Sequence, residues 1–477
     1  MAPILVSLGR DPRLHCPSML KKLLFGCFAF VVLSFLILHS PAWKLRDFDQ
    51  IFYVTIAYDL DRHGVFSNGP FAAVDSTVER PEAGMFFGPA FPTLVLAAMK
   101  LDGRFAEAVR CSVEANRGRR DEATCEAYSF PMRLINACLL VIGLIAVGSA
   151  AEVILERRSA FFIAGLLTLA ALAAVREYIF SYIMTESAIF AIYSVFALAV
   201  LLAWKTGQRR HFVLAGALLG LLCLTKPSFV ILFPLIVALI LLCGHRSSKD
   251  RRPSRARCLL GFSSAFAIVL GPWTVRNAIS VEKFGLTEEY GAAALIERFA
   301  YDDMTPQEFL QAFPYCVPGL GDLVFDRIYG TDSMHRFVFH TPHSFFHVGR
   351  ERRDTLVREH GRLDPIIGSI ALDEMRARWW RYLLVSIPLA WCGMWAGWLT
   401  SIALIPLFAV ACSRAFRTGQ PLLLLLFAAP AITMLGLHAA IGNHYTRYNL
   451  ILIGPYAVGA TVIANSYGRS ARMRGRG

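Results

Sequence analysis

Charge is what this sequence has least of. Asp, Glu, Lys and Arg make up 17% of 477 residues and 56% are hydrophobic, a balance that excludes a string of soluble domains. The eleven cysteines include no CxxC pair and no zinc-type spacing, and most lie in apolar runs as small hydrophobes. Tandem repeats, low-complexity blocks and a soluble-domain boundary are missing. So is a basic face with interleaved aromatics, and the net charge of +13 therefore does not point to nucleic acid. Lys and Arg accumulated in cytoplasmic loops account for it.

What is present is a series of apolar runs long enough to span a bilayer. The basic start "MAPILVSLGRDPRLHCPSMLKK" precedes "LLFGCFAFVVLSFLILHS" without a small-x-small cleavage site. That pattern describes an uncleaved anchor with its N-terminus inside. The clearest cytoplasmic loop is "GHRSSKDRRPSRARC", residues 244–258, with six basic residues against one acid. Alternating from it places spans over 134–155, 161–175, 187–204, 212–224, 229–243 and 259–272, then near 397–412, 422–439 and 450–464. The basic tail is inside. The expected fold is an all-α polytopic membrane domain over 1–477, with about ten transmembrane helices. Two large extracytoplasmic loops, 41–132 and 273–396, carry interfacial helices. One is 87–101, apolar but too short to span; the other is "RWWRYLLVSIPLAWCGMW". Cys111 and Cys125 share the first loop, either as a disulfide or as two thiols.

This topology gathers unusual polar residues on one side. Asp47 and Asp49 follow the first span, and "VREYIFSYIMTES" brings Glu177 and Glu186 to an outer turn. Lys226 in "LTKPS", Arg276 in "GPWTVRN", and His444 and Arg447 in "NHYTRYN" join them. Ionisable groups at membrane depth are costly and usually functional. Each also has a plain reading: Lys226 and Arg447 snorkelling to headgroups, Glu186 capping, Asp47 starting a helix. Asp59 and Asp61 read as solvated or paired. Asp49 stands out because Asp49, Tyr53, Ala57 and Leu60 form one helical stripe, which aims a carboxylate into a packed groove. His340, His343 and His347 have a spacing that suits a metal only in a helix, and Pro342 interrupts it.

The segments "FDQIFYVTIAYDLDRHGVFSNGPF…GPAFPTL", "GALLGLLCLTKPSFVILFP", "GPWTVRNAISVEKFG" and "RYNLILIGPY" resemble, in this order, the GT-C integral membrane glycosyltransferases. The likeness is to the bacterial branch with lipid A aminoarabinose transferase and the protein O-mannosyltransferases, and is faintest over 291–378. The resemblance implies a polyprenyl-phosphate sugar donor, used with inversion on the outer face of a bacterial inner membrane. It implies a lipid, glycan or protein acceptor, with recognition in the second loop. It also implies catalytic roles for Asp49 and Glu186, and lipid-phosphate binding by Lys226 and Arg276. Tyr53, Arg80 and Arg447 are further substrate-binding candidates. Asp49-Gln50 replaces the acidic pair of many relatives, and "VERPEAGMFFGP" alters the segment around Arg80. No cofactor or metal is expected, since clustered carboxylates are lacking. The competing readings are a transporter or lipid-linked-sugar flippase, with charges deep in broken spans, and a non-catalytic assembly subunit.

Overall fold

The computed structural model describes residues 16–41, 43–47, 49–71, 80–176, 179, 182–242, 254–321, 326–330, 334–338, 341–418, 422–442 and 445–474. Glu177, His340, His444 and most of the basic 244–258 loop lie outside them. The described residues are helical, without strands. The longer helices are α1 (Cys16–Leu38), α2 (Gln50–His63), α3 (Ala90–Leu101), α4 (Gly103–Asn116), α5 (Phe130–Leu155) and α6 (Arg158–Ala174). They continue as α7 (Glu186–Thr206), α8 (Arg209–Thr225), α9 (Leu232–Leu242), α10 (Arg255–Ser280), α11 (Tyr290–Phe299) and α12 (Pro306–Tyr315). The last five are α13 (Phe345–His360), α14 (Asp364–Met394), α15 (Ser401–Thr418), α16 (Leu422–Ile441) and α17 (Ile453–Arg474).

Seven of the described helices are long and apolar enough to cross a membrane: α1, α5, α7, α10, α15, α16 and the segment Thr446–Ser466. Every expected span falls on a helix. Three of these helices are short, however, with 17 residues in α6 and α8 and 11 in α9. Large apolar side chains stay exposed along α1 (Leu23, Phe28, Val31, Phe35) and α10 (Leu260, Ile268, Val275, Ile279). Such continuous apolar faces are what a bilayer covers.

Inside the bundle, α7 packs on α5 and α8, α8 on α10, and α17 on α15 and α6. Without a hydrophobic drive between helices in lipid, close approach depends on small residues. A Cβ at Gly216 would stand 2.1 Å from the Phe262 carbonyl, so the Gly216–Gly220 pair of α8 lets α10 lie against it. Arg133, buried at the start of α5, donates to the Ile37 carbonyl and, at 2.6 Å, to that of Ser40. It thus meets the negative end of the α1 dipole.

The first loop has its own core of Val54, Phe91, Val95, Phe105 and Val109. Asp102 starts α4 by accepting from the Phe105 amide at 2.9 Å, a bond that holds its carboxyl below the usual carboxylate range. Asp59 is fully buried, unlike a solvated helix-end residue. Arg117 reaches it at 2.7 Å and Ser67 at 2.6 Å, because α4 covers this turn of α2. Asp61, two residues on, pairs with Lys100. Cys111 and Cys125 form a disulfide that ties α4 to the approach of α5.

The second loop is organised around Arg298, a fully buried guanidinium. It bonds Asp302 at 2.9 Å, Ser386 Oγ at 3.0 Å, and the carbonyls of Ala439 and Tyr382 at 3.0 and 3.1 Å. A second disulfide, Cys316–Cys392, joins the end of α12 to α14. Its partners were hidden from the sequence by the apolar run around Cys392. The expected interfacial helix is the second half of α14, which kinks at Arg378 and then exposes Trp379, Trp380, Leu383, Leu384 and Ile387.

Replacing Arg298 with Met removes four donated bonds and leaves Asp302 a buried carboxylate without its cation. We expect a loss of about 3 kcal/mol, read as a lowered midpoint of thermal unfolding in detergent. Alkylation after denaturation should leave Cys111, Cys125, Cys316 and Cys392 unmodified until a reductant is added; labelling without reductant would contradict the two bridges.

Candidate functional site

The polar residues collect where α2, α7, α8 and Thr446–Ser466 meet at one end of the bundle. Asp49 occupies the N-cap position of α2, although its side chain makes no capping bond, and Asp47 lies before the helix. Asp49 Oδ2 accepts instead from Arg447 Nη2 at 2.8 Å. The same guanidinium turns Nε toward Glu186 Oε1 at 3.7 Å and donates through Nη1 to Met184 Sδ at 2.9 Å. Glu186 opens α7 and is 8% exposed in its side chain, whereas Asp49 is 45% exposed. The site is therefore asymmetric: one carboxylate faces water, the other is enclosed.

Lys226 follows the last turn of α8, where the chain leaves the helix for Pro227. Its Nζ stands 3.7 Å from the Tyr448 ring centroid, a cation–π geometry, and among the described residues no carboxylate pairs with it. Glu186, Lys226, Arg447 and Tyr448 line one small pocket with Ile189, Leu450 and Ile451. Two atoms of this group, Glu186 Oε2 and Arg447 Nε, are buried without a hydrogen-bond partner. Polar atoms in that condition are expensive.

The first loop leans on this turn. Gly88 leaves room for the Leu224 carbonyl, which a Cβ would approach to 2.2 Å, and Tyr53 packs edge-on against Phe87 and Phe91. Burial, with the charges of Asp49 and Glu186 beside it, pushes the Tyr53 phenol well above its usual range. It thus stays a neutral hydrogen-bonding group. From the second loop, Tyr290 packs edge-on against Phe86 and at a tilt against Phe87, and burial likewise raises its phenol. Behind Tyr448, His438 Nδ1 meets Asn449 Oδ1 at 2.9 Å.

Gln50 accounts for the missing second acid. It is fully buried; its amide nitrogen donates to the Lys44 and Asp47 carbonyls at 3.3 and 3.1 Å, and its oxygen accepts from the Ile183 amide at 2.8 Å. A carboxylate accepts only, so an acid here would forfeit both donated bonds.

No family model, curated protein or solved structure matches this chain. What the site can do must be read from its side chains.

Two sequence candidates stand apart from the cluster. Arg276 donates to the Gly84 carbonyl at 2.6 Å and the Phe66 carbonyl at 2.8 Å, with the Trp273 ring 5.0 Å away. Trp273 and Asn277 donate in the same way to the Leu286 and Gly285 carbonyls. The Trp-x-x-Arg-Asn segment thus fastens both loops to the end of α10, and the terminal nitrogens of Arg276 are occupied. Arg80 is exposed and acts electrostatically on His63 together with Arg62 and Arg117. His63 ends α2, about 20 Å along the helix axis from Asp49. His343 and His347 join no group of three or more metal-ligating residues among those described.

Sequence reading missed Gln50, Tyr290, His438 and Tyr448. Tyr448 had a signal, one residue beyond Arg447 in "TRYN"; Gln50 had none, because an amide in a polar stretch looks like any surface residue. Gln50→Glu should destabilise the protein by about 2 kcal/mol through its two abandoned acceptors, measured by thermal unfolding. Unchanged stability would remove its structural role.

Proposed function

We propose that this chain is a membrane glycosyltransferase that takes a sugar from a polyprenyl phosphate. The observation that carries the reading is a pocket lined by two cations, Lys226 and Arg447, at the end of an apolar bundle, with the half-exposed carboxylate of Asp49 bonded to the second of them at 2.8 Å. Glycosyl transfer from a lipid phosphate needs both kinds of group. The acceptor hydroxyl oxygen attacks the anomeric carbon while its proton passes to Asp49. The bond from that carbon to the phosphate oxygen breaks, the electron pair leaves with the polyprenyl phosphate, and the anomeric centre inverts. Lys226 and Arg447 hold the phosphate as it gains charge. At about 4 Å and an effective dielectric of about 20, one such contact is worth about 4 kcal/mol. Tyr53 supports the acceptor side and Glu186 orients Arg447. Neither Arg276 nor Arg80 is needed for the phosphate; Arg276 serves as scaffold. Three acceptor classes, lipid, glycan and protein, fit this chemistry, with the second loop as the recognition surface. A transporter would want its charges midway along a path, and here they crowd one end.

The finer topology follows from the same reading. Ten spans, counting α6, α8 and α9, return both basic termini to one side, and the positive-inside preference makes that side cytoplasmic. Both disulfides then face an oxidising compartment, where such bridges persist, and a bacterial inner membrane supplies one on its outer side.

Asp49→Asn should lower transfer from a panel of polyprenyl-phosphate sugars by about 100-fold or more while the folded variant still binds donor; full activity would sink the role given to Asp49. A cysteine introduced at Glu351, with native thiols blocked or replaced, should react with a membrane-impermeant maleimide from outside the cell. Labelling only after lysis would reverse the orientation.

A further inference from the structure

Arg447 is engaged by two carboxylates that differ in what they lose when it leaves. Asp49 is 45% exposed and water can replace the guanidinium, whereas Glu186 is 8% exposed and would be stranded as a buried charge. Lys226 faces the same pocket with an aromatic ring as its neighbour. Glu186 Oε2 and Arg447 Nε, both buried, already lack hydrogen-bond partners. The arrangement is well satisfied on the Asp49 side and poorly satisfied on the pocket side.

We propose that Arg447 is a positioning residue that keeps Asp49 occupied until an anionic phosphate enters the pocket, so that donor binds before acceptor. This rests on the roles given above to Asp49 and Lys226. A phosphate offers several oxygens to the planar fork of an arginine and carries more charge than one carboxylate. Between Lys226 and Arg447 it draws the guanidinium inward. Asp49 is the partner that gives way, because its replacement by water is cheap and that of Glu186 is not. The freed Oδ2 then faces the acceptor hydroxyl with nothing bound to it. With the pocket empty, Asp49 Oδ2 stays bonded to Arg447, and an acceptor alone meets a carboxylate that already holds a donor.

The test uses the full-length protein in detergent, with farnesyl monophosphate as the lipid probe and inorganic phosphate as the free-anion probe. Binding is followed by equilibrium dialysis. Access to Asp49 is followed as its rate of coupling to an amine by a water-soluble carbodiimide, quantified by peptide mass spectrometry. Saturating farnesyl phosphate should speed Asp49 modification about tenfold, the factor that one charge-assisted hydrogen bond is worth. Arg447→Gln should show the faster rate with no ligand, and Arg447→Lys should return it toward the wild-type value. Should Arg447→Gln fail to fold, Lys226→Gln takes its place: the unliganded rate stays low and the farnesyl phosphate response is lost. Farnesyl phosphate that binds without changing the rate overturns the interlock and leaves the proposed function standing. Farnesyl phosphate that does not bind overturns the donor reading and the interlock together. A full response to inorganic phosphate overturns the lipid as the source of the anion.

Discussion

The site depends on one guanidinium shared between two acids of unequal burial. Arg447 joins Asp49 at the start of α2 to Glu186 at the start of α7, two segments far apart in the chain and both far from its own. Desolvating three charges at the end of an apolar bundle is costly unless they neutralise one another. Their mutual placement therefore constrains where the first loop and the last span can sit. Tyr448 and Lys226 arrange themselves around that constraint, and the small pocket lies between them, Glu186 and Arg447.

Three other arginines, Arg133 and Arg298 buried and Arg276 half-buried, do a different job. Arg133, Arg276 and Arg298 direct their donors mainly at main-chain carbonyls, several of them at helix C-termini where the dipole is negative. They fasten loops to spans at the same end of the bundle. Only Arg447, among these four, meets two carboxylates. This division separates scaffold from site more sharply than burial does, since Arg298 is the most enclosed of them and has no place in the pocket.

Much of the fold is legible in the sequence because a bilayer writes it in long apolar runs. α1, α5, α7 and α16 sit where hydropathy places them, and the short helix α3 and the second half of α14 fall where interfacial segments are expected. Within the site, Asp49, Glu186, Lys226 and Arg447 converge because alternation of the spans brings their turns to one end. Arg276 misleads: an arginine beside a membrane end looks the same in sequence whether it holds a ligand or a carbonyl. Asp59 takes the paired one of its two readings, but its full enclosure is not legible in the sequence, since it depends on how α4 folds back across α2. Cys316–Cys392 is invisible for a third reason, a separation of 76 residues with one partner inside an apolar helix.

Gln50 carries a consequence of its own. The brace between the start of α2 and the approach to α7 is an amide, and an amide does not ionise across any range in which the protein survives. The backbone that holds Asp49 is thus anchored by a group whose bonding pattern is the same in acid and in base. A second carboxylate at that position would have made the frame itself titrate, moving the neighbouring acid whenever its proton came or went. With glutamine there, changes in acidity reach the side chains of the pocket and leave their mounting in place.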